Sequence, residues 1–348
     1  MMASITRAAT FVYVGNAESN EIYVMQLDRQ NGDLTLVEKV LIPSITKPGT
    51  STPMAVSPDR RFLYVGTRGE PQIAAGFAID SSSGKLKHVA NGPLADSMAY
   101  ISIDRTGRFL FGASYPGHKI TVNPIGPPGT VQPSQQVLTN YPNVHSILAD
   151  AGNRYVLAPT LGNDLINQFK FDAATGMLAP NIPPSVRVNE KAGPRHLVFH
   201  PNGKFVYVIG ETDGLVYVFD YDPGSGQLEK KQTVSALPPD FYGKPATADL
   251  HITPDGKYLY GSERKSSTLT GFKIDPANGT LSFIGSVPTE KQPRGFNIDS
   301  SGRYLLAVGQ LSHRMSSYKI DVDNGKLTKL NEYPMGKNPN WVEIVDIS

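Results

Sequence analysis

The sequence predicts an all-β fold, a seven-bladed β-propeller with four antiparallel strands in each blade. A unit of about 48 residues recurs along the chain, and each unit carries strand and turn signals without a helical stripe. The length of 348 residues corresponds to about seven such units. We therefore expect a single domain over residues 1–348.

Six segments share a core of strand, tight turn and strand. One copy has the turn Pro201, Asn202 and Gly203, in which glycine can adopt positive φ, followed by a basic and an aromatic residue. The aromatic residues that open the second strand of each copy are Phe62, Phe109, Tyr155, Phe205, Tyr258 and Tyr304. Phe11 opens a seventh second strand, so the pattern predicts seven blades.

The rest of each unit provides two outer strands. Residues 215–220 are an example of the third strand, and a second turn such as residues 225–228 usually leads into the fourth. The third unit lacks this turn and has Gly-Pro-Pro-Gly at residues 126–129 instead. The first unit lacks an inner strand, and residues 338–345 parallel the inner strand at residues 193–200. We expect this C-terminal strand to complete the first blade and remove the open sheet edge.

The repeat also predicts where functional side chains meet. We name the blade strands a to d from the channel outwards; strand a begins and strand b ends on the same face of the propeller. Ten residues before the strand-b aromatic lies the strand-a ring, formed by Thr52, Ala99, His145, Arg195, Ala248, Arg294 and Asn340. Six residues after it lies the strand-b ring, formed by Arg68, Tyr115, Leu161, Glu211, Arg264, Gln310 and Ala17. Both rings should surround the channel mouth.

The two rings contain four arginines and one glutamate, although the net charge of the chain is only +2. Solvated charge on the loops is the alternative interpretation, but blade packing does not call for arginine here. A positive cleft favours a small anion, because guanidinium groups grip phosphate or carboxylate with two hydrogen bonds. The balanced overall charge argues against a nucleic-acid partner.

Two ring residues, His145 and Glu211, can move protons near neutral pH. His196, His251 and His313 are expected near the mouth but outside the rings, and for them we favour structural hydrogen bonding. No metal-ligand cluster, P-loop, nucleophile elbow or dinucleotide fingerprint is evident. The sequence therefore predicts no metal and no cofactor.

At residues 193–196, 248–256 and 292–297 the sequence resembles the lactonase family of seven-bladed propellers, and the resemblance runs from Phe11 to Trp341. That family includes bacterial cycloisomerase-type 6-phosphogluconolactonases and the fungal carboxy-cis,cis-muconate cyclase. The resemblance matches the catalytic His, Arg and Glu of the fungal cyclase to the ring residues His145, Arg195 and Glu211, and a further family arginine to Arg264. The bacterial pattern has a Lys after the Gly-Gln of the last blade, where this chain has Leu311.

The resemblance implies an enzyme that hydrolyses a sugar lactone, with 6-phosphogluconolactone of the pentose phosphate pathway as the first choice. The alternatives are another acidic lactone or a muconate as substrate, or a non-catalytic binding propeller. A binding platform should expose aromatic residues, whereas Trp341 is the only tryptophan of the chain. Measuring turnover of lactones and of a muconate would distinguish these interpretations.

For lactone hydrolysis we predict Glu211 as the base on water, Arg195 as the oxyanion partner and His145 as proton donor or relay. Exchanged roles for His145 and Glu211 stay open. The predicted substrate-binding residues are Arg68, Tyr115, Arg264, Arg294 and Gln310.

The remaining expectations concern location and assembly. No apolar run approaches the ~20 residues of a membrane span, and the first ten residues lack the apolar core of a secretory signal. The chain has no cysteine. We therefore expect a cytoplasmic protein, a monomer or weak homo-oligomer, with a small anionic lactone as its partner and neither nucleic acid nor membrane.

Overall fold

The structure is a computed structural model that describes residues 9–347. Across these residues the regular elements are all β-strands, which form seven sheets arranged as a seven-bladed propeller. The predicted fold class is confirmed. The absence of a secretory signal was predicted mainly from residues 1–8, which lie outside the described residues.

The strands follow the predicted order in each blade. Blade 1 has β1 (Ala9–Asn16), β2 (Glu21–Leu27) and β3 (Leu34–Leu41) as strands b to d. Blade 2 has β4 (Met54–Val56), β5 (Phe62–Gly66), β6 (Ile73–Ile79) and β7 (Leu86–Pro93). Blade 3 has β8 (Tyr100–Ile103), β9 (Phe109–Ser114), β10 (Lys119–Gly126), β11 (Thr130–Val131) and β12 (Gln136–Leu138). Blade 4 has β13 (Leu148–Ala149), β14 (Tyr155–Thr160), β15 (Leu165–Asp172) and β16 (Met177–Arg187).

Blades 5 to 7 each have four consecutive strands of six residues or more. Blade 5 has β17 (Pro194–Phe199), β18 (Phe205–Gly210), β19 (Leu215–Asp222) and β20 (Gln227–Ser235). Blade 6 has β21 (Thr247–Ile252), β22 (Tyr258–Glu263), β23 (Thr268–Ile274) and β24 (Leu281–Pro288). Blade 7 has β25 (Pro293–Ile298), β26 (Tyr304–Gly309), β27 (Arg314–Ile320) and β28 (Leu327–Pro334). The final strand, β29 (Pro339–Ile347), is strand a of blade 1.

The unusual third unit has a divided outer strand. Two short strands, β11 and β12, both pair with β10, where the other blades have one continuous strand d. The Gly-Pro-Pro-Gly sequence at residues 126–129 makes the turn between β10 and β11. The break in strand d falls later, at residues 132–135 between β11 and β12. Because Pro133 in this break has no backbone N–H to donate, the sheet ladder is interrupted there and strand d resumes as β12.

The predicted closure is confirmed. Strand β29 runs antiparallel to β1, with Phe11 opposite Val345 and Tyr13 opposite Glu343. The buried apolar side chains form seven clusters, and each cluster joins two neighbouring blades. One of them joins blade 7 to blade 1 through Tyr304 and Val12. The core is therefore a ring of seven interfaces.

The repeating aromatic residue of strand b has the same packing role in all seven blades. In each case it lies against the glycine of the turn between strands c and d of the following blade, so closely that a Cβ on that glycine would overlap the ring. The pairs are Phe11 with Gly84, Phe62 with Gly129, Phe109 with Gly176, Tyr155 with Gly226, Phe205 with Gly279, Tyr258 with Gly325 and Tyr304 with Gly32. The two most regular features of the repeat, the strand-b aromatic and the turn glycine, therefore contact each other between neighbouring blades.

Candidate active site

β-Bulges between strands a and b redirect the strand-a ring residues in blades 1, 5, 6 and 7. In blade 5 the ladder pairs Pro194 with Gly210 and then His196 with Ile209, which leaves Arg195 as an extra residue. The equivalent extra residue is Arg294 in blade 7 and Asn340 in blade 1, and blade 6 has a bulge at residues 248–249. A bulge bends its strand and redirects a side chain without ending the sheet. Arginine on an inner strand can therefore turn towards the mouth.

Two arginines hold Glu211. The Nε atom of Arg195 lies 2.8 Å from Glu211 Oε2, and Arg264 Nη2 lies 2.9 Å from Oε1. Arg264 is itself anchored, since its Nε donates to the Ala246 carbonyl at 2.9 Å. Each carboxylate oxygen thus has its own guanidinium partner, and the carboxylate has one defined orientation.

These contacts keep Glu211 ionised. Burial alone would raise the pKa of this carboxyl, but the guanidinium groups of Arg195 and Arg264 lower it below its usual value. Burial lowers the pKa of Arg195 to about 10, in opposition to its attraction to Glu211. Near neutral pH the pair is therefore a carboxylate and a guanidinium.

His145 lies beside this pair in a cationic environment. Its side chain is buried, and its ring lies 5.6 Å from the ring of Tyr115 and 5.2 Å from that of His196, measured between centroids. Burial, together with the charge of Arg195, lowers the pKa of His145 well below its usual value. The imidazole is therefore neutral near neutral pH, so His145 can accept a proton but does not begin the reaction as a protonated general acid.

Arg68 and Arg294 are the uncommitted cations of the mouth. Within residues 9–347, neither side chain donates a hydrogen bond or forms an ion pair. Burial and the neighbouring arginines, Arg195 first among them, lower the pKa of Arg294 well below its usual value. Burial likewise lowers the pKa of Arg68. An anion between these groups would relieve their mutual repulsion.

Unsatisfied polar atoms concentrate at the same place. Among residues 9–347, five buried side-chain atoms have no hydrogen-bond partner. Three of them belong to the two rings: Thr52 Oγ1, Arg68 Nε and His145 Nδ1. Native proteins satisfy most of their buried polar groups, so a cluster of exceptions points to a site that a ligand or solvent completes.

The other predicted binding residues have supporting positions. Tyr115 packs edge-on against His145, and its carbonyl accepts a hydrogen bond from Asn143 Nδ2 at 3.1 Å. Gln310 is buried, and its amide contacts Asn338 at 2.8 Å and Gln292 at 3.1 Å. Gln310 thus uses its side chain within the protein, and its role in substrate binding stays a prediction.

His196 and Asp249 are site residues that the rings did not include. His196 Nε2 lies 3.1 Å from Arg195 Nη1, and His196 Nδ1 lies 2.8 Å from Asp249 Oδ1. The expected structural hydrogen bonding of His196 thus connects directly to Arg195. The sequence offered one indication of their role: His196 and Asp249 each directly follow a residue of the strand-a ring. The bulges that bring the two side chains into contact have no signature in the sequence.

The described part of the chain contains no group of three or more His, Asp or Glu placed to hold a metal ion. No helix of residues 9–347 is long and apolar enough to cross a membrane. The charged and titratable side chains that the structure places at the mouth are those of Glu211, His145 and the four arginines, with His196 and Asp249 behind Arg195.

Comparison with known proteins identifies close relatives. A family described as "Lactonase, 7-bladed beta-propeller" matches residues 11–344. The chain is 41% identical to a 6-phosphogluconolactonase of Pectobacterium carotovorum over 83% of this chain and 85% of the relative. It is 42% identical to a 6-phosphogluconolactonase of Serratia proteamaculans at the same coverage of both chains. A solved periplasmic gluconolactonase of Pseudomonas aeruginosa is 27% identical, with a TM-score of 0.88 over 98% of this chain and 100% of the other.

Proposed function

The chain belongs to the lactonase family of seven-bladed β-propellers, and on this premise we propose that it hydrolyses 6-phosphogluconolactone to 6-phosphogluconate. The observation that carries the proposal is the pairing of an ionised, oriented Glu211 with two uncommitted guanidinium groups in one mouth. The carboxylate suits attack by water on a lactone carbonyl. The free cations of Arg68 and Arg294 suit the phosphate of the substrate and the charge that develops during the reaction.

Glu211 is the base in this proposal. A carboxylate held by Arg195 and Arg264 on both oxygens is a weak base in solution terms, but it has a fixed direction and stays ionised near neutral pH. It takes a proton from the attacking water as the new C–O bond forms. The carbonyl oxygen becomes an oxyanion, and collapse of the tetrahedral intermediate breaks the bond to the ring oxygen.

His145 moves the proton in this scheme. Because its imidazole is neutral, it serves as a relay: it receives the proton through Glu211 or the water and passes it to the leaving alkoxide. The exchanged assignment, with neutral His145 as the base and Glu211 as the orienting carboxylate, agrees with the same protonation states. Substitution and pH profiles of the two residues separate these assignments.

Two arginines are candidates for the oxyanion partner. Arg195 is 1% exposed, and its Nε and Nη1 are committed to Glu211, His196 and the Ala248 carbonyl, which leaves Nη2 for the substrate. Arg294 is half-buried and has no protein partner within residues 9–347. We favour Arg294 for the oxyanion and assign Arg195 to orienting Glu211, with Arg195 Nη2 as the second candidate.

Initial rates on a substrate panel test the function. Proton release from 6-phosphogluconolactone and gluconolactone, each corrected for spontaneous hydrolysis, gives kcat/KM for both. Each charge-assisted contact to phosphate contributes roughly 1.5–3 kcal/mol, so we expect a preference of about tenfold or more for the phosphorylated lactone. Equal values for the two lactones, or cycloisomerisation of a muconate followed by its absorbance, contradict the proposed substrate.

Gluconolactone is the second candidate substrate, because a structural neighbour is named a periplasmic gluconolactonase. The two substrates also imply different places in the cell. A phosphate ester with two negative charges does not cross a bilayer unaided, so an enzyme for it belongs in the compartment that forms it. The proposal therefore includes a cytoplasmic location and a monomer or weak homo-oligomer, which cell fractionation and sedimentation check.

A further inference from the structure

We propose that Asp249 and His196 are positioning residues for this reaction: they fix the imidazole tautomer that accepts a hydrogen bond from Arg195, and Arg195 in turn orients the Glu211 carboxylate. The inference rests on the proposed lactonase function. It concerns residues outside both rings, on the channel side of blades 5 and 6. It assigns them no contact with substrate.

Arg195 links the two halves of the network. Its Nε donates to Glu211 Oε2 at 2.8 Å, while its Nη1 donates to His196 Nε2 at 3.1 Å and to the Ala248 carbonyl. The guanidinium is planar and rigid, so the acceptors at Nη1 also fix the direction of the Nε–H bond. A shift of His196 therefore changes the orientation of the carboxylate that faces the substrate.

The tautomer of His196 follows from its two neighbours. A guanidinium can only donate hydrogen bonds, so His196 Nε2 is the acceptor and the proton lies on Nδ1. Nδ1–H donates a hydrogen bond to Asp249 Oδ1, and the two heavy atoms lie 2.8 Å apart. Burial and the charge of Arg195 lower the pKa of His196 to about 4, so the ring is neutral near neutral pH. The opposite tautomer would bring two N–H groups together between His196 and Arg195.

Asp249 is itself fixed on several sides. Its Oδ2 lies 3.2 Å from His251 Nε2 and 3.4 Å from the Phe296 amide nitrogen, and the Leu250 amide donates to Oδ1 at 3.0 Å. The side chains of Asp249 and His196 are both buried. A buried carboxylate is costly unless it is well paired. The chain from Asp249 through His196 to Arg195 gives this carboxylate a role in the site.

Kinetics of a double-mutant cycle test the positioning. His196→Phe removes the acceptor for Arg195 and keeps a ring, and Asp249→Leu removes the acceptor for His196. We expect each to lower kcat about tenfold or more with KM within about threefold, because Arg68 and Arg294 are unchanged. The double variant should be no worse than the poorer single variant, since both act on one contact. Additive losses overturn the proposal.

Two further variants separate positioning from general disruption. His196→Gln restores an acceptor for Arg195 and should recover part of the kcat lost in His196→Phe. Glu343→Leu is the matched control: this carboxylate lines the same cavity of about 330 Å³ as Asp249 but contacts Trp341 and not His196, so kcat should be retained. A Gln variant as slow as the Phe variant, or an equal loss from Glu343→Leu, contradicts the assignment.

A readout without turnover tests the tautomer. In protein labelled with ¹⁵N-histidine, His196 should show the neutral Nδ1–H pattern at pH 7, with its signals assigned by their loss in His196→Phe. An Nε2–H tautomer or an imidazolium overturns the proposal. Failure of the parent protein to hydrolyse any lactone contradicts the proposed function itself, whereas normal turnover in the parent and in both single variants contradicts only the positioning role.

Discussion

Glu211 contacts two arginines, Arg195 and Arg264, at the channel mouth, and its substitution tests whether it is the base. Glu211→Gln removes the proposed base while keeping the shape of the side chain, so kcat should fall by about 10²–10⁴-fold. Glu332→Gln is the matched control, since Glu332 also lies between two cations, Arg314 and Lys329, but on an exposed outer strand. Near-parental kcat for Glu211→Gln, after correction for spontaneous hydrolysis, would refute the mechanism.

The pH dependence of kcat follows from the same contacts. Glu211 must be ionised to act as base, and its pKa is held below its usual value against the effect of burial, so activity should be lost only as pH falls through that low pKa. Arg264→Gln removes one of the two cations and should move the acid limb of kcat to higher pH by about one unit. Rates measured from pH 8 down to well below the usual glutamate pKa of about 4.3 give this limb. An unmoved limb in Arg264→Gln would exclude Glu211 as the group that titrates.

Binding of the substrate's phosphate is expected to depend strongly on Arg68, one of the two mouth arginines whose side chains have no hydrogen bond or ion pair within residues 9–347. Arg68→Ala should raise KM for the phosphorylated lactone about tenfold or more and change KM for gluconolactone little, because one charge-assisted contact contributes roughly 1.5–3 kcal/mol. Arg61→Ala, an exposed arginine at the turn of the same blade, is the control. Equal effects on both lactones would place Arg68 away from the phosphate.

The repeat predicted that several charged residues lie close together, but it did not predict which of them contact each other. Counting from the repeat brought Arg195, Glu211 and Arg264 together, and the structure places them in direct contact. The repeat contains no information on which guanidinium groups are already paired, because that depends on side-chain directions set by the bulges. His196 and Asp249 were missed as partners of Arg195 for the same reason.

At the scale of elements, the contact between the strand-b aromatic and the following blade's glycine should contribute to stability. Gly279 has φ +73° and faces the Phe205 ring, so Gly279→Ala combines backbone strain with overlap, about 2–4 kcal/mol together. With roughly 2.1 cal/mol/K of unfolding entropy per residue, this corresponds to a Tm lower by about 3–6 °C. Scanning calorimetry at a fixed heating rate measures the shift.

Gly203→Ala is the matched control for this contact. Gly203 has nearly the same backbone, φ +70°, but a Cβ there would meet nothing within 4 Å. Only the strain of about 1 kcal/mol remains, so Tm should fall by about 1–2 °C. Equal shifts for the two variants would show that backbone strain, and not the aromatic contact, sets the cost.

Strands b and c were easier to predict than strands a and d. The second strands carry a continuous run of buried apolar residues, such as Val206 to Ile209 in β18, and this run is a strong strand signal. The inner strands β4 and β13 contain only three and two residues, too few for periodicity to define. The divided outer strand of blade 3 also depends on local proline chemistry, although its sequence marked the unit as different.

At the scale of the whole molecule, ring closure is the property that the sequence predicted most completely. It followed from one missing inner strand at the start of the repeat and one surplus strand at its end. The structure adds that the interface between blades 7 and 1 has its own apolar cluster, as the other six interfaces do. Asn340 also connects β29 to blade 2, since its Oδ1 accepts from the Thr52 amide at 3.0 Å.

Closure should therefore be as important for stability as any other part of the core. Val345 in β29 is 4% exposed and packs in a cluster with Phe11 and residues of blade 2. Val345→Asp buries an unpaired carboxylate there, at a cost of several kcal/mol, and deletion of residues 339–348 leaves β1 with an open edge. We expect insoluble protein from the deletion and a strongly lowered Tm from the substitution.

The control for this last prediction is Val322→Asp, the same change at a turn residue that is 58% exposed, which should leave Tm nearly unchanged. Soluble yield and scanning calorimetry compare the three proteins at equal heating rates. If blade 1 held its place through β1 to β3 alone, the deletion would melt like the parent. The deletion also removes Asn340, because β29 lies between β1 and the channel. A deletion variant that melts like the parent would therefore show that β29 contributes to the channel mouth and not to the stability of the fold.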